Sequence, residues 1–207
     1  MVRSTIIMIL LLLALLMASC SGSRMVSTQM DADRKGKPIK NVLIIGVIED
    51  KAIRENYEKY FMERLNAAGV EAMSSAQVLP VSIGKKLDKK EIIDLVEQHG
   101  IDTVAVTHLV DREQDETFSR SNRLSTIYNQ GYYRYYTGVW DNLYEPTVYS
   151  DHVQYFLETR LYDVKTQKLI WTGESETMDP KTIGQAIGQI VSLVMDELKK
   201  NGLLPAS

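Results

Sequence analysis

Unbroken apolar runs along the chain alternate with stretches whose apolar residues recur every three or four positions, and that alternation sets the expected fold. Asn41 to Ile48 (NVLIIGVI) and Thr103 to Val110 (TVAVTHLV) are rich in consecutive β-branched residues, the pattern of strands buried on both faces. Between them, Ile53, Tyr57, Phe61 and Leu65 recur every four residues behind Asp50 and ahead of Gly69. That spacing predicts an amphipathic helix with an N-cap and a C′ glycine. Val70 to Ser74 is short enough for a second strand, and Pro80 and Gly84 mark a loop. Asp88 and Glu91 make a capping box ahead of Ile92, Leu95, Val96 and His99, and Gly100 stops that helix. The resulting β-α-β-α-β order calls for parallel strands joined by right-handed crossovers.

The second half has a different period. From His152 to Asp163 the odd positions Val153, Tyr155, Leu157, Thr159 and Leu161 are mostly apolar, while His152, Gln154, Glu158 and Arg160 fall on the even ones. This predicts an antiparallel strand with one face in solvent. Lys168 to Ser175 is its hairpin partner across a turn at Lys165-Thr166-Gln167. Asp179-Pro180 is the expected N-cap and first-turn proline of a closing helix. Ile183, Ile187, Ile190, Val194 and Leu198 stripe that helix, and Asn201-Gly202 ends it. The expected class is α/β with an α+β tendency, in β-α-β-α-β-β-β-α order. It is a mixed sheet of about five strands, three parallel ones extended by an antiparallel hairpin.

The start of the chain reads differently. Met1-Val2-Arg3 leads into an apolar run from Ile6 to Met17 and then Ala18-Ser19-Cys20, the layout of a secretory signal. Leu16-Met17-Ala18-Ser19-Cys20 resembles the lipobox of bacterial lipoproteins, with Met17 where leucine is commonest. The resemblance implies that residues 1–19 are a signal peptide and that Cys20 carries diacylglycerol and a further acyl chain such as palmitate. Serine at position 21 goes, in those proteins, with transfer to the outer membrane, the body facing the periplasm. Residues 20–38 are then expected to be a lipidated flexible tether, since they mix Ser, Gly, Asp, Lys and Arg without apolar periodicity. Residues 39–204 are expected to form a single periplasmic domain carrying a Tyr-rich insertion at 119–149.

Composition narrows the function. The 207 residues carry 24 Lys+Arg against 27 Asp+Glu, a net charge of -3, so the chain lacks the excess of cations that non-specific nucleic-acid binding needs. With 1 cysteine it makes no intramolecular disulfide.

Gly69-Val70-Glu71-Ala72, with Leu161-Tyr162-Asp163, Thr166 and Lys168-Leu169-Ile170-Trp171, resembles a widespread group of small, functionally uncharacterised bacterial lipoproteins. Those relatives carry glycine where this chain has Gln167, so a side chain here either strains a left-handed turn position or changes the turn type. The element order is also similar to the amino-terminal domain of TolB, and to the lipoproteins that activate penicillin-binding proteins or form the curli channel. The resemblance implies binding or assembly work in the envelope; fold likeness alone does not transmit function.

Catalytic chemistry finds little support. His99, His108 and His152 lie in different elements, and His108 and Asp111 would leave a strand on opposite faces, so no metal set forms. Asp111, Glu113, Asp115 and Glu116 crowd the end of the third strand, a candidate acid-base loop for a hydrolase, but no apolar residues interleave them. There is no phosphate-binding glycine motif, and Ser82-Ile83-Gly84-Lys85 lacks the companion motifs of a serine acyl enzyme. Gly184 and Gly188 suit close packing of the last helix on its sheet.

The stretch that stands out is Tyr128 to Tyr149, with 7 of the 11 tyrosines and Trp140. Tyr and Trp offer rigid contact area with a polar handle. Tyr132, Tyr133, Tyr135, Tyr136, Trp140 and Tyr144 are therefore the candidate binding residues, with packing over the hairpin as the alternative. The expected function is non-catalytic and free of cofactors. A lipid anchor ties the protein to the membrane while the insertion meets an envelope protein; glycan or peptidoglycan binding is the alternative, and a hydrolase using residues 111–116 the third.

A domain of this size with its own core needs neither metal nor disulfide. Thermal unfolding of residues 21–207 should have the same midpoint with and without chelator, and with and without reductant. A large fall on adding chelator would return the histidines to the list of ligands.

Overall fold

In the computed structural model, which describes residues 22–79, 86, 88–110, 131–140, 148–149, 152–178 and 180–206, two crossovers running in opposite directions build the parallel half. The elements in chain order are β1 (Arg24–Met30), β2 (Asn41–Val47), α1 (Lys51–Ala67), β3 (Glu71–Ser74), α2 (Ser75–Val78), α3 (Lys89–Gln98) and β4 (Thr103–Leu109). After them come α4 (Tyr132–Trp140), β5 (Val148–Tyr149), β6 (His152–Asp163), β7 (Leu169–Met178) and α5 (Ile183–Lys200). The strands lie in the order β1-β7-β6-β4-β2-β3, with the two-residue β5 beside the start of β6. Parallel pairs join β3 to β2 and β2 to β4; the β4-β6, β6-β7 and β7-β1 pairs are antiparallel. The mixed α/β sheet expected from sequence is present, with one strand more at the edge.

The step from β2 to β3 goes one way across the sheet, and the step from β3 to β4 goes back past β2. Right-handed crossovers then put α1 and α3 on opposite faces. Accordingly, Tyr57, Phe61 and Leu65 of α1 share a core with Ile187, Ile190, Val191 and Val194 of α5. Ile92, Leu95 and Val96 of α3 share the other core with Tyr132, Tyr135 and Tyr136 of α4.

Local signals hold at most ends. Asp50 accepts from the Ile53 N–H at 2.9 Å, and Asp88 and Glu91 form both arms of a capping box at 2.8 Å each. Gly69, Gly100 and Gly202 follow their helices with φ of 81°, 60° and 69°. Gln167 sits at φ 60°, so the side chain that departs from glycine does occupy a left-handed position. Its Nε2 donates to the Val164 carbonyl at 2.6 Å, and its side chain packs against Gly131 at the start of α4.

Three expectations are corrected. The first is the flexible tether: Arg24–Met30 is an edge strand paired with β7 along its length. Beyond it, the Gly36 and Ile39 N–H groups donate to the Asn201 and Leu203 carbonyls at 3.0 and 2.9 Å, so residues 31–40 close over the end of α5. Backbone pairing stabilises β1, and that leaves no apolar alternation for a sequence reading to detect. The second is the start of the last helix. Thr182 is its N-cap, accepting from Gln185 N at 3.1 Å, and Ile183 on the first turn is exposed instead of joining the stripe. The third is the one-sided β6: Arg160 and Tyr162 are buried on the even face as Leu157, Thr159 and Leu161 are on the odd one.

Gly173 of β7 lies under the indole of Trp171, two residues away on the same face; a Cβ there would sit 2.3 Å from Cη2 of that buried ring. Gly173→Ala should therefore lower stability by about 1–3 kcal/mol through overpacking, read as a lower urea midpoint at unchanged slope. An unchanged midpoint would mean that the ring does not occupy that space.

Candidate functional site

The Tyr-rich stretch is a helix where it is described. Tyr132, Tyr135 and Tyr136 stand at i, i+3 and i+4, so a helical backbone gathers them on one face. That face is the inner one, with exposures of 4%, 7% and 1%. The three rings are thus corrected from candidate contact residues to core residues. Tyr133 and Trp140 are half-buried, their rings 6.4 and 6.1 Å from Tyr136, and Lys89 lies 6.0 Å from the Tyr133 ring centroid. Tyr144 lies outside the described residues, as do Cys20 and the acidic loop 111–116.

Tyr135 enters a polar cluster with His108 and with Glu158 and Arg160, which the period of β6 predicts on a solvent face. His108 of β4 and Glu158 of β6 are directly paired across the antiparallel ladder, so their side chains point to the same face. The Tyr135 hydroxyl donates to Glu158 Oε2 at 2.7 Å and lies 3.0 Å from His108 Nδ1. A phenol has one proton, and it is committed to the carboxylate, so Nδ1 must carry the hydrogen that reaches the Tyr135 oxygen. Arg160 Nη2 donates to Glu158 Oε1 at 2.8 Å, and the guanidinium lies 4.1 Å from the Tyr135 ring centroid. One aromatic ring is thus held by a histidine, a carboxylate and a cation over its face.

Charge states follow from these surroundings. Burial pulls the His108 imidazole down to about 4, outweighing the attraction of Glu158. Burial alone would push the Glu158 carboxyl up, but Arg160, His108 and the Tyr135 hydroxyl together hold it below its usual value. Burial drives the Tyr135 phenol well above its usual range. At neutral pH the cluster is therefore an ion pair, a neutral imidazole and a neutral phenol, with Arg160 Nε buried and left without a hydrogen-bond partner. Deleting one partner of such a buried pair costs about 3–5 kcal/mol.

A second buried carboxylate sits where open α/β sheets bind ligands, at the carboxyl ends of the strands where the chain reverses direction. β3 ends at Ser74, opposite Ile44, and Glu58 of α1 takes the place of a continuing strand. Its Oε1 accepts from Gly46 N at 2.8 Å and Arg54 Nε at 2.9 Å; its Oε2 accepts from Ser74 Oγ and Ala76 N, both at 2.8 Å. Ser75 Oγ donates to the same carboxylate, and Arg54 Nη2 donates to Ser75 Oγ at 2.9 Å. The donors that would bind an anion here are occupied by the protein's own side chain. The sequence carried a signal for this pair, since Arg54 and Glu58 lie four residues apart beside the apolar stripe of α1 and Gly46 is the lone glycine of its strand. Among the described residues no His, Cys, Asp and Glu group is placed to hold a metal, and no helix is long and apolar enough to cross a membrane.

No protein-family model matches the chain, and no curated protein matches it in sequence. Among solved structures it is similar to the PelC dodecamer from Paraburkholderia phytofirmans, with 11% identity and a TM-score of 0.43 over 89% of this chain and 98% of that one. A variant of that dodecamer gives 9% and 0.44 over 83% and 94%. Lipoprotein GNA1162 from Neisseria meningitidis gives 14% and 0.41 over 78% and 99%. Likenesses this distant leave function to be argued from the chain's own residues.

The His108 assignment sets a pH dependence. His108 releases its proton near 4 in the fold but near 6.5 when unfolded. Between those values the unfolded chain binds more protons, so stability falls as pH drops, by about 3 kcal/mol over the whole window. Glu158, held low, adds a loss of the same sign at still lower pH. His108→Gln should flatten the profile of urea midpoint against pH between about 6.5 and 5. A wild-type profile already flat there contradicts the buried neutral imidazole.

Proposed function

We propose that the chain is a non-catalytic lipoprotein of the bacterial envelope. It is anchored through Cys20 to the outer membrane, with its α/β domain in the periplasm holding a protein partner. The observation that carries this reading is the sole cysteine directly after Ala18-Ser19, behind Arg3 and the apolar run Ile6 to Met17. The non-catalytic part is supported by how the two polar clusters are used. Glu58 fills the crevice at the strand ends, and the hydroxyl, imidazole and carboxylate of Tyr135, His108 and Glu158 satisfy one another beneath α4.

The partner face follows from what α4 leaves outside. Tyr133 and Trp140 keep part of their rings in solvent beside exposed Arg134 and Gly138. A glycan platform needs a flat row of open rings, and three of the rings it would use are buried, so a protein partner suits this surface better.

Replacing Cys20 by Ala should abolish incorporation of labelled fatty acid and free the exported protein from the membrane fraction; labelling that persists would place the anchor elsewhere. On α4 the two kinds of ring should separate. Tyr136→Ala should cost about 3–5 kcal/mol of stability, whereas Trp140→Ala, which removes a half-buried ring, should lower the melting midpoint clearly less and weaken crosslinking to the partner in the native envelope. A Trp140→Ala protein that crosslinks as wild type would remove α4 from the binding surface.

A further inference from the structure

We infer that one particular edge of the domain rests on the lipid surface, the edge formed by the start of β1, the end of β7 and the first turn of α5, with Met178 and Ile183 entering the headgroup layer. The inference rests on the lipidated reading of Cys20 and adds to it an orientation and a second contact.

The geometry begins at Ser23. Its Oγ lies 2.7 Å from Thr177 Oγ1, near the end of β7, and donates to Gln189 Oε1 of α5 at 3.0 Å. Arg24, the next residue, pairs with Glu176 across the ladder and forms an ion pair with it at 2.5 Å. Ser23, three residues beyond Cys20, is therefore fixed to the fold at this edge. Three residues span at most about 11 Å, against about 5–8 Å for the headgroup layer on one side of a bilayer. An acyl-bearing Cys20 therefore holds this edge within a few ångströms of the headgroups.

The side chains at that edge suit the place. Among the described residues the large apolar side chains left exposed are Met178 and Ile183, at 44% and 51%. Met178 adjoins Thr177, and Ile183 lies six residues before Gln189, about 9 Å along the helix. Both thus flank the point where the chain leaves the fold. Exposed Lys181 lies between them in sequence, with a stem that suits apolar surroundings and an amine that suits lipid phosphate. The buried acid nearest the edge, Glu176, is already paired with Arg24, so it does not repel an anionic surface. Single exposed apolar residues are ordinary; two of them meeting the one edge that chain length holds at the membrane are what the inference uses.

The test uses full-length, acylated protein in vesicles of phosphatidylethanolamine and phosphatidylglycerol. Met178→Cys, Ile183→Cys and Lys165→Cys each supply one free thiol, the Cys20 sulfur being acylated, for an environment-sensitive fluorophore. Lys165, in the β6-β7 turn, lies beyond the far end of β7, roughly 33 Å of strand from Met178. Probes at 178 and 183 should shift to the blue and be quenched by lipids carrying a nitroxide near the headgroup, while the probe at 165 should do neither. If the protein floats with the vesicles but all three probes stay unquenched, the edge faces water or another protein; the inference is then overturned and the lipid anchor stands. If the protein carries no acyl chain and does not float, the anchor reading fails and the inference fails with it.

Discussion

The pairing of β4 with β6 is the constraint on which the rest of the structure depends. It joins the parallel half of the sheet to the antiparallel half, and its register decides which polar groups meet on each face. Thr107 pairs with Thr159 and faces α1; His108 pairs with Glu158 and faces α4. On the first face the Tyr57 hydroxyl lies 2.8 Å from Thr107 Oγ1, which lies 2.9 Å from Thr159 Oγ1, and burial pushes the Tyr57 phenol up to about 12. On the second face Tyr135 closes on His108 and Glu158. A slip of one residue would exchange the two sets and leave a carboxylate and a guanidinium against the apolar surface of α1 and α5.

The buried charges are best understood in those terms. An ion pair in the interior stabilises little compared with well-packed apolar residues, but an unpaired member is heavily penalised. Glu158 and Arg160 therefore penalise the wrong register more than they reward the right one. Glu58 and Arg54 act similarly at the other site, where the carboxylate ties Gly46 of β2, Ser74 at the end of β3 and the amide of Ala76 in α2 to α1. Such interiors hold the domain in one defined shape.

Much of the parallel half was legible because its signals are local. The apolar runs of β2 and β4 and the caps at Asp50 and Asp88 all depend on residues close in sequence. The misreadings of β1 and β6 share one cause, partners distant in sequence. β1 depends on a ladder with β7, some 150 residues on, so RMVSTQM carries no period of its own. The even face of β6 looked solvated because His108 and Tyr135, which satisfy Glu158, lie in other segments. For α4 the aromatic and β-branched content argued against a helix, while the spacing of Tyr132, Tyr135 and Tyr136 argued for one, and burial of that face decided in favour of the spacing.

The Tyr-rich segment thus divides into rings that lock α4 onto the sheet and rings left half-buried at its outer side, and the proposed function depends on that division. Amide hydrogen exchange of residues 132–140 in the isolated domain measures it directly. If Tyr135 is locked by His108, Glu158 and Arg160, the amides in the last turns of α4 should be protected to a degree approaching those of β4 and β6, because opening the helix would expose the cluster. Exchange at the rate of an unstructured peptide, beside full protection of β4 and β6, would contradict the account and return the whole segment to the surface.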